Sequence, residues 1–164
     1  MKPFFVLITV FIISLFATRF ETGDYLHFLS GQIAMSAMLA FTAIAHFVYT
    51  KGMSMMIPTF IPFKKAIVYF TGLIEIAAAI LLLFPAYREA TGWFLIAFFI
   101  ALLPANIYAA INHIDYQKGN YDGGGRQYLW FRVPLQLFFI LWVFFFVLAP
   151  YNGILWKIGF VTNY

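Results

Sequence analysis

Five apolar stretches, roughly residues 3–18, 31–50, 66–84, 92–111 and 129–149, use up most of this 164-residue chain. A helix rises 1.5 Å per residue, so about 20 apolar residues cross a hydrocarbon core of roughly 30 Å. Such stretches, joined by short connections, predict an all-α integral membrane protein with five spans. With 64% hydrophobic and 10% charged residues, the chain lies far from the mix of a soluble globular domain. The connections are too short for a separate soluble unit. Residues 1–164 therefore read as a single membrane domain, and any site must be built from the spans and the loops between them.

The stretch 3–18 is the weakest. Lys2 precedes it, as it would a signal peptide, but no small-x-small cleavage site follows: Leu15-Phe16-Ala17 places a bulky residue between the candidates, and Thr18-Arg19 comes next. It is expected to be a retained N-terminal span. Basic residues then set the orientation, because Lys and Arg in short loops stay on the cytoplasmic side. Alternating loops place Lys2, Lys51, Lys64, Lys65, Lys118, Arg126 and Arg132 on one side and only Arg19, Arg88 and Lys157 on the other. The expected topology has a cytoplasmic N-terminus and an external C-terminus. Tyr49, Trp93, Tyr128, Trp130, Tyr151 and Trp156 fall near the boundaries, where amphipathic rings anchor spans.

The formal charge of +4 would point to nucleic acid in a soluble chain. Here it marks loops facing anionic lipid, and no nucleic-acid partner is expected. The absence of cysteine excludes a disulfide framework, thiolate metal ligation and a thiol relay within this subunit.

Glu75 lies near the middle of the third stretch, about 14 Å from its start at Ala66. A carboxylate at that depth is costly unless it is paired or protonated, so partners are expected. His46 lies near the cytoplasmic end of the second stretch and Asn106 near that of the fourth, while Arg132 and Gln136 open the fifth from the same side. Arg132 and Gln136 are four apart and share a helix face. Beside Glu75, the small residues Thr71, Gly72, Ala78 and Ala79 permit close helix approach. His46, Glu75, Asn106, Arg132 and Gln136 form the candidate ligand-binding cluster, with Glu75, His46 and Arg132 expected to face one another as one polar unit. Buried polar residues in membrane proteins also serve as interhelical hydrogen-bond glue, at about 0.5–2 kcal/mol per bond.

Pro104 deprives the Ile100 carbonyl of its helical donor and is expected to open the fourth helix near Asn106. The 51–65 connection is apolar, and Pro58 and Pro62 argue against a continuous helix there. It is expected to lie on the cytoplasmic interface, with Lys51, Lys64 and Lys65 snorkelling. In the polar 112–128 loop, His113, Asp115 and Asp122 match no metal-ligand spacing, and Gly123-Gly124-Gly125 is followed by no Gly-Lys-Ser/Thr. No metal site is expected. A lone intramembrane His46 beside a carboxylate reads as a hydrogen-bonded partner before a haem ligand.

An ordered set of motifs runs from about Gly31 to Ala149: Ala45-His46-Phe47, Ile57-Pro58 with Ile61-Pro62, Gly72-Leu73-Ile74-Glu75, Leu83-Phe84-Pro85 with Arg88, Pro104-Ala105-Asn106, and Trp130-Phe131-Arg132-Val133-Pro134-Leu135-Gln136. In this the chain resembles the DoxX-like family of small membrane proteins. The resemblance implies a four-helix membrane bundle over 31–149, preceded here by the additional N-terminal helix of 3–18. Members include subunits associated with thiosulfate:quinone oxidation, a membrane partner in a bacterial antioxidant complex and an animal receptor-assembly chaperone. More distant relatives run thiol–quinone chemistry through cysteines, which this chain lacks.

The resulting expectation is a multi-pass protein of the bacterial inner membrane whose polar cluster binds a lipophilic small molecule, a quinone, in support of a membrane redox partner. Whether the chain itself catalyses a reaction stays open. The alternatives are a non-enzymatic assembly factor that binds a client protein and a small proton-linked transporter using Glu75, although no repeated pair of broken spans supports the latter.

Overall fold

The computed structural model describes residues 2–150, and these are all-α. The elements are α1 (Lys2–Thr22), α2 (His27–Val48), α3 (Thr50–Met55), α4 (Lys64–Leu81), α5 (Pro85–Ile111), a 3-10 turn (Gly125–Tyr128), α6 (Leu129–Val143) and a π-helical turn (Phe144–Leu148). Among the described residues no strand forms; one isolated antiparallel bridge joins Asp115 to Asn120. Tyr151, Trp156 and Lys157, used above for anchoring and orientation, and the C-terminus expected to be external lie outside the described residues.

Four helices are long and apolar enough to cross a membrane: Lys2–Thr22, His27–Val48, Pro85–Ile111 and Leu129–Leu148. The third apolar stretch forms α4, whose 18 residues include Lys64, Lys65 and Glu75 and so fall outside that group. Several expected limits move. α2 starts at His27 rather than residue 31, and α5 starts at Pro85, seven residues before the expected 92. Proline at the first helical position loses nothing, since that N–H has no intrahelical acceptor. Arg88, read as a loop residue, therefore sits in the first turn of α5. Its Nε donates to Leu82 O at 2.9 Å and its guanidinium to Leu83 O at 3.3 Å, so it covers the carbonyl end of α4. Pro104 does not break α5, which runs through it to Ile111.

α2 is the organising element. It packs against α1 on one side and α4 on the other, while α5 packs against α6. The buried core gathers Leu7 of α1, Met35, Met38 and Leu39 of α2, Ala78, Ala79 and Leu82 around the end of α4, Leu95 of α5, and Phe139, Trp142 and Val143 of α6. The α2–α4 contact is close because small residues face it. Ser36 Oγ donates to Ala79 O at 2.5 Å, and a Cβ on Gly72 would lie 2.9 Å from His46 Cβ. Two long-range bonds tie α2 to the end of α6: Gln32 Nε2 donates to Phe146 O at 2.9 Å, and Trp142 Nε1 to Gly31 O at 3.0 Å.

The 51–65 connection is partly helical. α3 occupies its first turn and a half, after which the chain leaves helical geometry through Pro58 and Pro62. Phe63, with φ 53°, turns it into α4. The polar loop that follows α5 lies against α3: a Cβ on Gly52 would be 1.9 Å from Tyr116 O, so only glycine admits this approach.

Candidate functional site

Helices α1, α4 and α6 begin, and α2 and α5 end, at the same end of the molecule. Between them lies a cavity of about 830 Å³. Its lining is mainly apolar, including Met38, Phe41, Phe98, Leu102, Leu135 and Phe139, and all five polar residues singled out above stand in its wall. The α3 region and the 56–61 segment contribute Met53, Met56, Ile57 and Phe60, and the 112–124 loop contributes Tyr116 and Gln117.

The α2–α4 wall carries Thr42, His46 and Glu75. Thr42 and His46 are one turn apart on α2, and His46 Nδ1 lies 2.9 Å from Thr42 O. A carbonyl can only accept, so Nδ1 carries the hydrogen. In the neutral ring Nε2 is then an acceptor, and it has no hydrogen-bond partner among the described residues. The same Nδ1 stands 3.5 Å from Glu75 Oε2. That is ion-pair distance without hydrogen-bond alignment, and Oε2 is left buried with no hydrogen bond. Glu75 is only 4% exposed. Gly72 makes this meeting of helices possible, since any larger residue would press on the His46 side chain.

The α5–α6 wall is wired differently. Arg132 donates to Asn106 Oδ1 at 3.1 Å, Asn106 Nδ2 donates to Gln136 Oε1 at 3.1 Å, and Gln136 Nε2 donates to Phe99 O. Both amides are oriented by this one-way chain, which begins at a cation and ends on a main-chain carbonyl. Phe99 lies beside Ile100, whose carbonyl Pro104 deprives of its donor, so Gln136 binds α5 in the turn the proline disturbs. The Arg132 guanidinium also lies 5.4 Å from the centre of the Tyr116 ring.

The five residues thus share one cavity as two groups. His46 Nδ1 stands at ion-pair distance from Glu75, and Arg132 contacts Asn106 and Tyr116, so of the expected trio Glu75 and His46 meet directly. Sequence reasoning missed Thr42, although its place four residues before His46 was a usable signal. It also missed Tyr116, which sits in a polar loop with no periodicity to give its direction. An apolar chamber with a buried carboxyl group and a guanidinium in its wall is suited to an apolar molecule with a polar head.

Residues 35–147 match the model of a family described as Domain of unknown function (DUF8561). No curated protein and no solved structure matches the chain. The family match runs from α2 into the π-helical turn and takes in Thr42, His46, Glu75, Asn106, Arg132 and Gln136. Because it covers well over half of the sequence, the chain belongs to the Domain of unknown function (DUF8561) family.

Proposed function

We propose that this chain is a DoxX-like protein of the bacterial inner membrane whose cavity holds a lipophilic ligand, a quinone, in support of a membrane redox partner. One observation carries the reading: a largely apolar cavity of about 830 Å³ has His46, Glu75, Asn106, Arg132 and Gln136 in its wall. That volume falls in the usual range for small-molecule sites, about 300–1,000 Å³, and so does the pattern of many apolar and few polar groups. Arg132 is placed to donate to a ligand oxygen. The His46–Glu75 pair is placed to accept or hold a proton, and the phenylalanines and methionines accommodate a ring and tail. A bound quinone would supply the electron- and proton-carrying chemistry that these side chains lack.

In this reading α4 is a fifth span. Its 18 residues extend about 27 Å, Lys64 and Lys65 snorkel at its end, and Glu75 faces protein, completing with α2, α5 and α6 a four-helix bundle to which α1 is added. The cavity then lies in the cytoplasmic half of the membrane, at the end marked by Lys2, Lys51, Lys64 and Lys118. Single cysteines at exposed positions test the orientation: an impermeant thiol reagent added to intact cells is expected to label Glu89→Cys and not Lys118→Cys, and the opposite pattern reverses it. Native mass spectrometry of gently solubilised protein tests the function. A retained lipid-soluble quinone is expected.

A second reading, a non-enzymatic assembly factor, is favoured by the chain from Arg132 through Asn106 and Gln136 to Phe99 O, in which polar groups satisfy one another without a ligand. A stoichiometric client protein and no small molecule in the same spectrum would select it.

A further inference from the structure

Building on the ligand-site reading above, we infer that the cavity is filled sideways from the bilayer: a single-chain amphiphile enters between α2 and α6, below the tip of α1, and leaves its chain in that portal. Two helical stripes frame the opening. On α2, Ser30, Ala34, Phe41, Ile44 and Val48 recur at steps of three, four and seven and so share one face. That face is closed where α2 begins, with Ser30 and Ala34 at 0% exposure, and opens toward the cavity end, where Phe41, Ile44 and Val48 are 37%, 61% and 64% exposed. On α6, Phe131, Leu135, Phe138 and Trp142 recur in the same way. α1 lies on the last two, with Phe4 edge-on to Phe138 at 5.5 Å and Phe11 edge-on to Trp142 at 5.1 Å, whereas the first two line the cavity.

The cavity wall is continuous across this seam. It includes Thr42 and His46 on the inner face of α2, passes Ala45, and takes in Phe41, Ile44 and Val48 on the outer face, with Lys2 and Pro3 of α1 at its edge. A position that lines the chamber and is also well over half exposed, as Ile44 and Val48 are, marks where the chamber meets the surface. Ile44 lies one turn from the end of α2 and Phe41 two, so on the proposed topology the opening faces the cytoplasmic leaflet just inside its headgroups, with Lys2 at headgroup level. The end toward the cytosol is walled by Met53, Met56, the buried Ile57 and Tyr116. A route through that end would draw an apolar chain through water, whereas the side route keeps the chain in hydrocarbon throughout. A chain held in this way sets no limit on its own length, because whatever the cavity of about 830 Å³ does not hold extends into lipid.

The test uses the full chain in lipid nanodiscs and a decyl-substituted benzoquinone carrying a diazirine at the end of its chain. After illumination, peptide mass spectrometry locates the adducts, and an excess of the same quinone without the diazirine identifies those that depend on the site and not on lipid contact. Competed adducts are expected on residues 41–48 and 131–135. Ile44→Trp narrows the portal at a position that is already exposed, so it should keep the wild-type unfolding midpoint and lower competed labelling by at least about fivefold. The wild-type map stands by itself if that variant misfolds. Competed adducts confined to residues 53–61 and 116, at the cytosolic end, or to residues 67–71 and 97–105, at the edge between α4 and α5, overturn the portal and leave the ligand site in place. Labelling of a folded Ile44→Trp protein at the wild-type level does the same. Absence of any competed adduct overturns both.

Discussion

The two polar walls of the cavity use similar side chains and solve opposite problems. On the α5–α6 side, each amide of Asn106 and Gln136 both donates and accepts, and the chain closes on Phe99 O. On the α2–α4 side, His46 Nδ1 is turned to the carbonyl of Thr42, and Oε2 of the buried Glu75 carboxyl is left without a hydrogen bond. A satisfied network contributes to holding helices together, whereas an unsatisfied one costs stability that a purely structural role would not retain. On the proposed reading, substitutions in the amide pair of the α5–α6 wall act first on the fold, and those in the α2–α4 wall act first on the ligand. Substitutions that separate these roles can break it.

The largest effect is expected where geometry, not polarity, is changed. At Gly72 a Cβ would meet His46 Cβ at 2.9 Å and Phe47 Cε2 at 3.3 Å. Because His46 Cβ is fixed to its own backbone, the two helices must separate to relieve the contact. Gly72→Val is expected to destabilise the protein by about 1–3 kcal/mol through overpacking and to pull His46 away from Glu75. Thermal unfolding in detergent together with ligand retention checks both. A variant with wild-type midpoint and retention would show that the α2–α4 wall does not depend on this close approach.

The effect second in size tests the satisfied wall. Gln136 is 8% exposed and holds two partners, Asn106 and Phe99 O. Gln136→Leu keeps the approximate volume, removes both bonds and breaks the chain that orients Asn106 toward Arg132. Interhelical bonds inside membranes contribute about 0.5–2 kcal/mol each, so a loss of about 1–2 kcal/mol in a stability assay is expected, larger than for any conservative change at Glu75. If Gln136→Leu leaves stability unaltered while abolishing ligand retention, the roles of the two walls are exchanged.

Sequence periodicity and charge made much of this legible. The apolar stretches located every long helix, because hydrocarbon-length runs have one common solution, and the depth of Glu75 and His46 within their stretches was enough to bring them together. Limits were less legible: Pro85 to Thr91 looks polar because of Arg88 and Glu89, yet it begins α5, with Arg88 turned back onto the carbonyls of Leu82 and Leu83. Pairing was the least legible. Depth alone puts Arg132 level with His46, but only the packing of α5 on α6 sends its guanidinium to Asn106 and Tyr116. Tyr116 reaches the cavity through the approach of its loop to Gly52, a contact no local pattern encodes.

The smallest stability change is expected at Glu75, where the functional effect is sharpest. Glu75→Gln keeps the side-chain shape, and the carboxylate oxygen it replaces makes no hydrogen bond whose loss would destabilise the fold. The 3.5 Å approach of His46 Nδ1 is already outside hydrogen-bond alignment, and that nitrogen keeps its bond to Thr42 O. Stability should therefore stay within about 0.5 kcal/mol of wild type, as for a substitution that disturbs neither packing nor a formed network. Ligand retention should fall about tenfold, since one lost hydrogen bond is worth about 1–1.5 kcal/mol. Glu75→Leu supplies the contrast: it removes the polar head altogether, so ligand retention is lost whatever the stability of the fold. The diagnostic is the pair of measurements on the same samples. A Glu75→Gln protein that unfolds early yet keeps its ligand would mean that the carboxylate holds helices together, and the division of labour between the two walls would fall with it.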